Sequence, residues 1–183
     1  ADLTLPLNFD GTLNVIVRSD ATSAVLEPDT RANNTSTPQP ITVAAPYADF
    51  TVEAVSAPAT ALSGTAIELA WRVRNAGDST AAGSWQDRVV LSQDGVFGNA
   101  DDVVLGTVNR SGPLAAGDAY TVRQTFSLPF ELTGTWQVLV KSDVNALVFE
   151  GGRVGNNLGT AASPLQINPA PAANLVASSV VGT

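Results

Sequence analysis

The sequence predicts an all-β fold, two antiparallel sheets packed face to face, in a tandem repeat of about 124 residues. Three observations carry that expectation. Several runs alternate apolar and polar residues with a period of two. Those runs are short and punctuated by Gly, Pro and Asn, and no helical period extends over a useful length. Lastly, one stretch occurs twice: GTLNVIVRSDATSAVLEPDTRANN at 11–34 and GTWQVLVKSDVNALVFEGGRVGNN at 134–157, at a constant offset of 123.

The self-match continues on both sides. Residues 4–11 fall on 127–134, Pro40–Val43 on Pro164–Ile167, and Asp49–Val52 on Asn174–Ala177. A period of this length is the size of a domain. Residues 1–46 are therefore expected to be the C-terminal part of one repeat, 47–171 a complete repeat, and 172–183 the first strand of the next. The sequence is expected to be a window on a longer polypeptide, or one protomer of a continuous fibre.

Within the complete repeat, residues 48–57 are expected to form the first strand, with Phe50, Val52 and Ala54 on one face and Pro58 ending it. The clearest alternation follows Ser63-Gly64. Ile67, Leu69, Trp71 and Val73 alternate with Glu68, Ala70, Arg72 and Arg74, which makes Trp71 a core anchor. Asn75-Ala76-Gly77-Asp78 reads as a turn. Trp85, Val89 and Leu91 then share a face with Asp87, whose carboxylate needs a partner there; backbone amides or a distant arginine are the candidates.

A loop at 94–102 and a short strand after it lead to turns at Ser111-Gly112-Pro113 and Ala116-Gly117-Asp118. The next strand places Tyr120, Val122, Phe126 and Leu128 inward, and the one after it Trp136, Val138 and Val140. An apolar piece at 146–149, a loop, and a last strand around 164–168 close the unit, and Pro169-Ala170-Pro171 forms a stiff joint. About seven short strands in this arrangement predict a sandwich of immunoglobulin type.

The segments Ala48–Val52, Ala70–Gly77, Trp85–Ser92, Gly112–Gly117 and Gly155–Asn157 together resemble a CARDB module, the "cell adhesion related domain found in bacteria". The resemblance covers residues 48–168 and, through the self-match, the partial copies. It implies immunoglobulin-like sandwiches strung in tandem along large secreted or surface proteins. It further implies placement outside the bacterial cell or on its surface, and a scaffold or adhesive role. It carries over no catalytic residues.

Composition narrows the function classes. A net charge of −8 argues against nucleic acid and against anionic lipid as partners. No cysteine is present, so disulfides and thiolate metal sites are out. The absence of histidine removes the triads and zinc sites built on it. A carboxylate-pair glycosidase needs only Asp and Glu, but the sequence offers no facing pair of acids, so no enzymatic activity is expected. No apolar run is long enough for membrane insertion.

Two polar groupings stand out. The loop 94–102 has calcium-ligand character, since Asp94, Asn99, Asp101 and Asp102 could supply oxygen ligands and its glycines allow tight turns. Its spacing departs from the EF-hand pattern, and the competing reading is a solvated turn. The second grouping, Asp143, Glu150, Asn156 and Asn157, recurs as Asp20, Glu27, Asn33 and Asn34. Either these side chains hold irregular loops through backbone hydrogen bonds, or they bind a cation.

Leu139, its counterpart Ile16, Val90, and one of Val103 or Val104 alternate away from the inferred core and are expected to be exposed. Aligned on one sheet they would form an apolar patch for packing against a neighbour. The expected partners are neighbouring repeats of the same polypeptide, with self-association into filaments. The leading function is a structural or adhesive repeat module. The alternative, a carbohydrate-binding module, requires exposed aromatic rings, whereas Trp71, Trp85 and Trp136 all fall on inward faces.

Overall fold

The computed structural model describes residues 4–5, 9–28, 31–171 and 176. The strand expected at 172–183 thus lies outside the described residues, apart from Val176. Two compact units are present, Ala1–Pro46 and Tyr47–Thr183.

The first unit pairs β1 (Gly11–Val15) with β2 (Gln39–Val43), antiparallel, with Gly11 opposite Val43 and Leu13 opposite Ile41. An isolated bridge joins Arg18 to Thr35, just after a 3-10 turn at Arg31–Asn34.

The second unit contains β3 (Phe50–Ser56), β4 (Thr60–Leu62), β5 (Ala66–Asn75), β6 (Ser84–Ser92), β7 (Val103–Ser111), β8 (Ala119–Ser127), β9 (Gly134–Lys141), β10 (Leu158–Thr160) and β11 (Leu165–Asn168). One sheet has the order β3-β5-β8. The other runs β4-β11-β9-β6-β7, with β10 also pairing β9. All pairs are antiparallel except β4 with β11. The two inner faces meet in one apolar core that includes Trp71, Trp85, Phe126, Trp136, Val138 and Leu165. This is the immunoglobulin-like sandwich the alternation predicted, and Trp71 is buried at its centre.

Two details depart from the expectation. The alternation Phe50, Val52, Ala54 breaks because β3 shifts register against β5 between Val52 and Ala54. The extra residue turns Ala54 to solvent and brings Val55 inward. On either side of the shift β3 lies against β10, and a side chain at Gly159 would collide with Val52 and Val55.

The second departure concerns the outer face. Leu139 and Val90 are paired neighbours and both are fully buried, although they point away from the main core. Gln137 and Lys141 flank Leu139 on that face. Gly95 sits beside the Gln137 side chain, and the Lys141 ammonium lies 5.5 Å from the Phe97 ring centre. The loop after β6 therefore folds back across the sheet and covers these aliphatics. Of the expected exposed set within the module, Val104 is open to solvent. Ile16, in the first unit, is also exposed.

Candidate functional site

Three polar constellations lie in or on the module. The first surrounds Asp87, which alternation places on the inward face of β6 and which is fully buried. Its Oδ2 accepts the Trp71 indole N–H at 2.8 Å, and its Oδ1 accepts the Ser142 hydroxyl at 2.9 Å. The Tyr120 hydroxyl donates at 2.9 Å and in turn accepts the Trp85 indole N–H at 3.1 Å. The partners are thus side chains from both sheets. They are not the backbone amides or the arginine expected from sequence, although the Arg110 guanidinium stacks on the Tyr120 ring at 4.1 Å and supplies positive charge nearby. Burial pushes the Asp87 carboxyl up, against the opposing pull of these hydrogen bonds. Burial beside that carboxylate also pushes the Tyr120 phenol up. A buried carboxylate wired to two tryptophans and a tyrosine locks the facing sheets in one relative position.

The second constellation closes the module on itself. Glu150 is buried; its Oε2 accepts the Phe50 backbone N–H at 2.6 Å and its Oε1 the Asn157 amide at 2.6 Å. Asn156 donates to Asp49 Oδ1 at 2.7 Å and to Thr51 Oγ1 at 2.9 Å. Asp143 caps its own loop by accepting the N–H groups of Leu147 and Val148 at 2.9 and 2.8 Å. The first strand is thereby tied to the last loop. These contacts match the loop-holding role read from the sequence. Asn75 adds a third anchor at the same end: its Oδ1 accepts from Asp49 N and Gly77 N, and its Nδ2 donates to the carbonyls of Ser79 and Leu114. The sequence predicts only a turn at Asn75. Its signal was the glycine two positions on, where any Cβ would collide with the Tyr47 carbonyl.

The same geometry recurs in the first unit. Asp20 accepts the N–H groups of Ala24 and Val25 at 2.7 and 3.2 Å, and Glu27 accepts the Asn34 amide at 2.8 Å. Asp20 and Asp143 share a φ of 43°. The Ser19 N–H bonds the Asn34 carbonyl at 2.9 Å, as that of Ser142 bonds the Asn157 carbonyl at 2.9 Å.

The third constellation is the loop considered for calcium. Asp94 Oδ1 accepts the Val96 N–H at 2.8 Å, and its Oδ2 accepts the Asn99 amide at 2.8 Å. Asp101 Oδ2 accepts the Gln93 N–H at 2.8 Å, and Asp102 Oδ2 the Gly98 N–H at 2.6 Å. The Val96 bond holds the Asp94 carboxyl below the usual range. The four side chains lie in one loop; the Ser92 hydroxyl donates to Asp94 Oδ1 at 3.0 Å and lies 3.4 Å from Asp101 Oδ2, while Asp102 Oδ1 is buried with no hydrogen-bond partner among the described residues. Among the described residues no three carboxylates are gathered to hold a metal ion.

One open cleft of about 400 Å3 is lined by Trp85, Gln86, Asn109, Arg110, Asn145 and Leu147, among others. Its amides form a short chain, Asn145 to Gln86 and Gln86 to Asn109, each at 2.8 Å. All three tryptophans are buried. Among the described residues no helix is long and apolar enough to cross a membrane.

The sequence profile of the CARDB family matches residues 47–161, which span β3 to β10. The chain belongs to the CARDB family. CARDB domains are related to cell adhesion in bacteria, so at that level the chain is a structural or adhesive module. Among solved structures, a CARDB domain from Pyrococcus furiosus in complex with di-metal ions is 16% identical, with a TM-score of 0.49 over 67% of this chain and 90% of that one. A solution structure of the same archaeal domain gives 16% identity and a TM-score of 0.47, over 66% of this chain and 95% of that one. A β-glucosidase from Listeria innocua in complex with glucose is 13% identical, with a TM-score of 0.45, over 66% of this chain and 16% of that enzyme. No curated protein matches this chain. In CARDB terms, the Asn75 turn and the Asn156-Asn157 ending are the parts of the module that join its two ends.

Proposed function

We propose that this chain is a structural building block of a large secreted or surface-exposed bacterial protein, serving as scaffold or filament subunit rather than as a catalyst. The observation that carries this reading is the tie between the ends of the module. Phe50, in its first strand, is bonded to Glu150 in its closing loop, 100 positions further along the chain. The exit strand β11 is held on both sides, antiparallel to β9 and parallel to β4. Ladder hydrogen bonds lie across the strand direction, so tension along the chain loads several together. The proline-flanked joint after β11 limits bending between neighbours. The acid groups with raised pKa lie buried in structural networks rather than facing one another across a cleft.

Antibody labelling of intact cells, fractionation, and electron microscopy of the released material test this reading. Surface label on beaded or filamentous material is the expected result. A dispersed cytoplasmic protein would sink it. A second reading, saccharide binding, draws on the amide-lined cleft beside Arg110. It lacks an exposed tryptophan for ring stacking. Binding on a glycan array that is lost in Asn109→Ala would favour it.

A further inference from the structure

We infer that the first unit is the closing half of a second CARDB module, and that its bare apolar surfaces are a docking site for the opening half of a module, a segment of the type of residues 47–126. The inference deepens the reading of the chain as an array of modules and rests on it.

β1 and β2 pair Gly11 with Val43, Thr12 with Thr42 and Leu13 with Ile41. The matched positions in the complete module pair Gly134 with Ile167, Thr135 with Gln166 and Trp136 with Leu165. The bridge Arg18–Thr35 falls on the pair Lys141–Leu158. The Asp20 and Glu27–Asn34 contacts repeat those of Asp143 and Glu150–Asn157. The same backbone has formed twice.

The surroundings differ. Val15, Ile16, Val17 and Val25 are 40%, 53%, 64% and 58% exposed, whereas their counterparts Val138, Leu139, Val140 and Val148 are 0%, 0%, 0% and 9% exposed. In the complete module, Val138 and Val140 face the sheet β3-β5-β8, and Leu139 lies under the loop after β6. The facing sheet and the loop after β6 both come from residues 47–127. Glu27 and Glu150 differ in the same way. One of its oxygens takes the Asn34 amide, and the other has no partner among the described residues, where Glu150 takes the Phe50 N–H. The occupant is thus specified on both faces and at one hydrogen bond. It must bring an inner sheet, an outer loop, and a strand whose backbone N–H meets Glu27.

The test compares the full chain with a version in which a second copy of residues 47–126 is joined ahead of Thr4, in the register of the native junction before Ser127. The full chain is expected to bind a dye for exposed apolar surface, and the extended chain to lose most of that binding. Amides of Ala24 and Val25 should become protected from exchange by at least tenfold. Glu27→Ala should reduce that protection in the extended chain by more than in the original, where only the Asn34 amide loses its acceptor. An added copy that stays protease-sensitive, with dye binding unchanged, would overturn the inference. So would an original chain that self-associates and is dye-silent, since a second copy would then be the cover. In either failure, an intact transition of the 47–168 module leaves the scaffold reading standing.

Discussion

The Glu150 carboxylate accepts the Phe50 backbone N–H at 2.6 Å while holding the Asn157 amide with its other oxygen. One side chain thereby satisfies a first-strand donor and a last-loop donor, both away from water. Glu150→Ala should leave both donors buried without an acceptor, at about 1–3 kcal/mol each. The expected loss is about 2–4 kcal/mol in the urea transition followed by tryptophan fluorescence. Because all three tryptophans lie in the second unit, Glu27→Ala should leave that transition within about 0.5 kcal/mol of wild type.

Tyr120→Phe keeps the ring under Arg110 and removes the hydroxyl that links Asp87 to Trp85. A loss of about 1–2 kcal/mol follows from one buried indole N–H left unpaired. Asp87→Ala strands the Trp71 indole and the Ser142 hydroxyl as well, and should cost about 3 kcal/mol or more. Equal losses for the two variants, measured by urea titration, would contradict a network centred on the carboxylate.

The pH dependence has a definite sign. Burial raises the Asp87 and Glu150 carboxyls above their ordinary 3.8 and 4.5. A raised folded-state value means the folded protein holds the proton more tightly than the unfolded chain does. The resulting contribution to stability is complete below the ordinary values and is lost as pH rises through the raised ones. Measured from neutral pH down to 4, wild type should gain stability relative to Glu150→Gln, which has no proton to take up. A difference that stays flat across that range would remove the argument.

Gly77 sits where the chain passes the Tyr47 carbonyl and the Asp49 amide. Gly77→Ala must push one backbone off the other, at about 1–3 kcal/mol. Asn75→Ala, which removes four hydrogen bonds from the same turn, should cost at least as much. Thermal melts of the two variants check both.

Oxygens of Asp94, Asp101 and Asp102 already accept from nearby backbone, amide and hydroxyl groups, and among the described residues no three acidic side chains are gathered. Millimolar calcium or a chelator should therefore leave the melting temperature unchanged. Asp94→Ala should lower it by opening the loop and uncovering Val90 and Leu139 on the sheet beneath.

By itself the sequence determined whatever depends on neighbours along the chain. Alternation fixed the inward set Ile67, Leu69, Trp71 and Val73, because side chains on a strand must take opposite faces in turn. The double occurrence of Asp-Glu-Asn-Asn located loops whose side chains bond backbone a few residues away. Only the tertiary structure decided which distant groups meet. The partners of Asp87 come from β5, β8 and the turn after β9, so no spacing could announce them. The bulge in β3 reversed the inward face after Val52, since alternation assumes an unbroken register that only the partner strand reveals. Leu139 was expected outside and is buried because a loop some forty residues earlier folds over it. Period two tells which side of a sheet a residue takes, and whether that side meets water depends on what the rest of the chain lays across it.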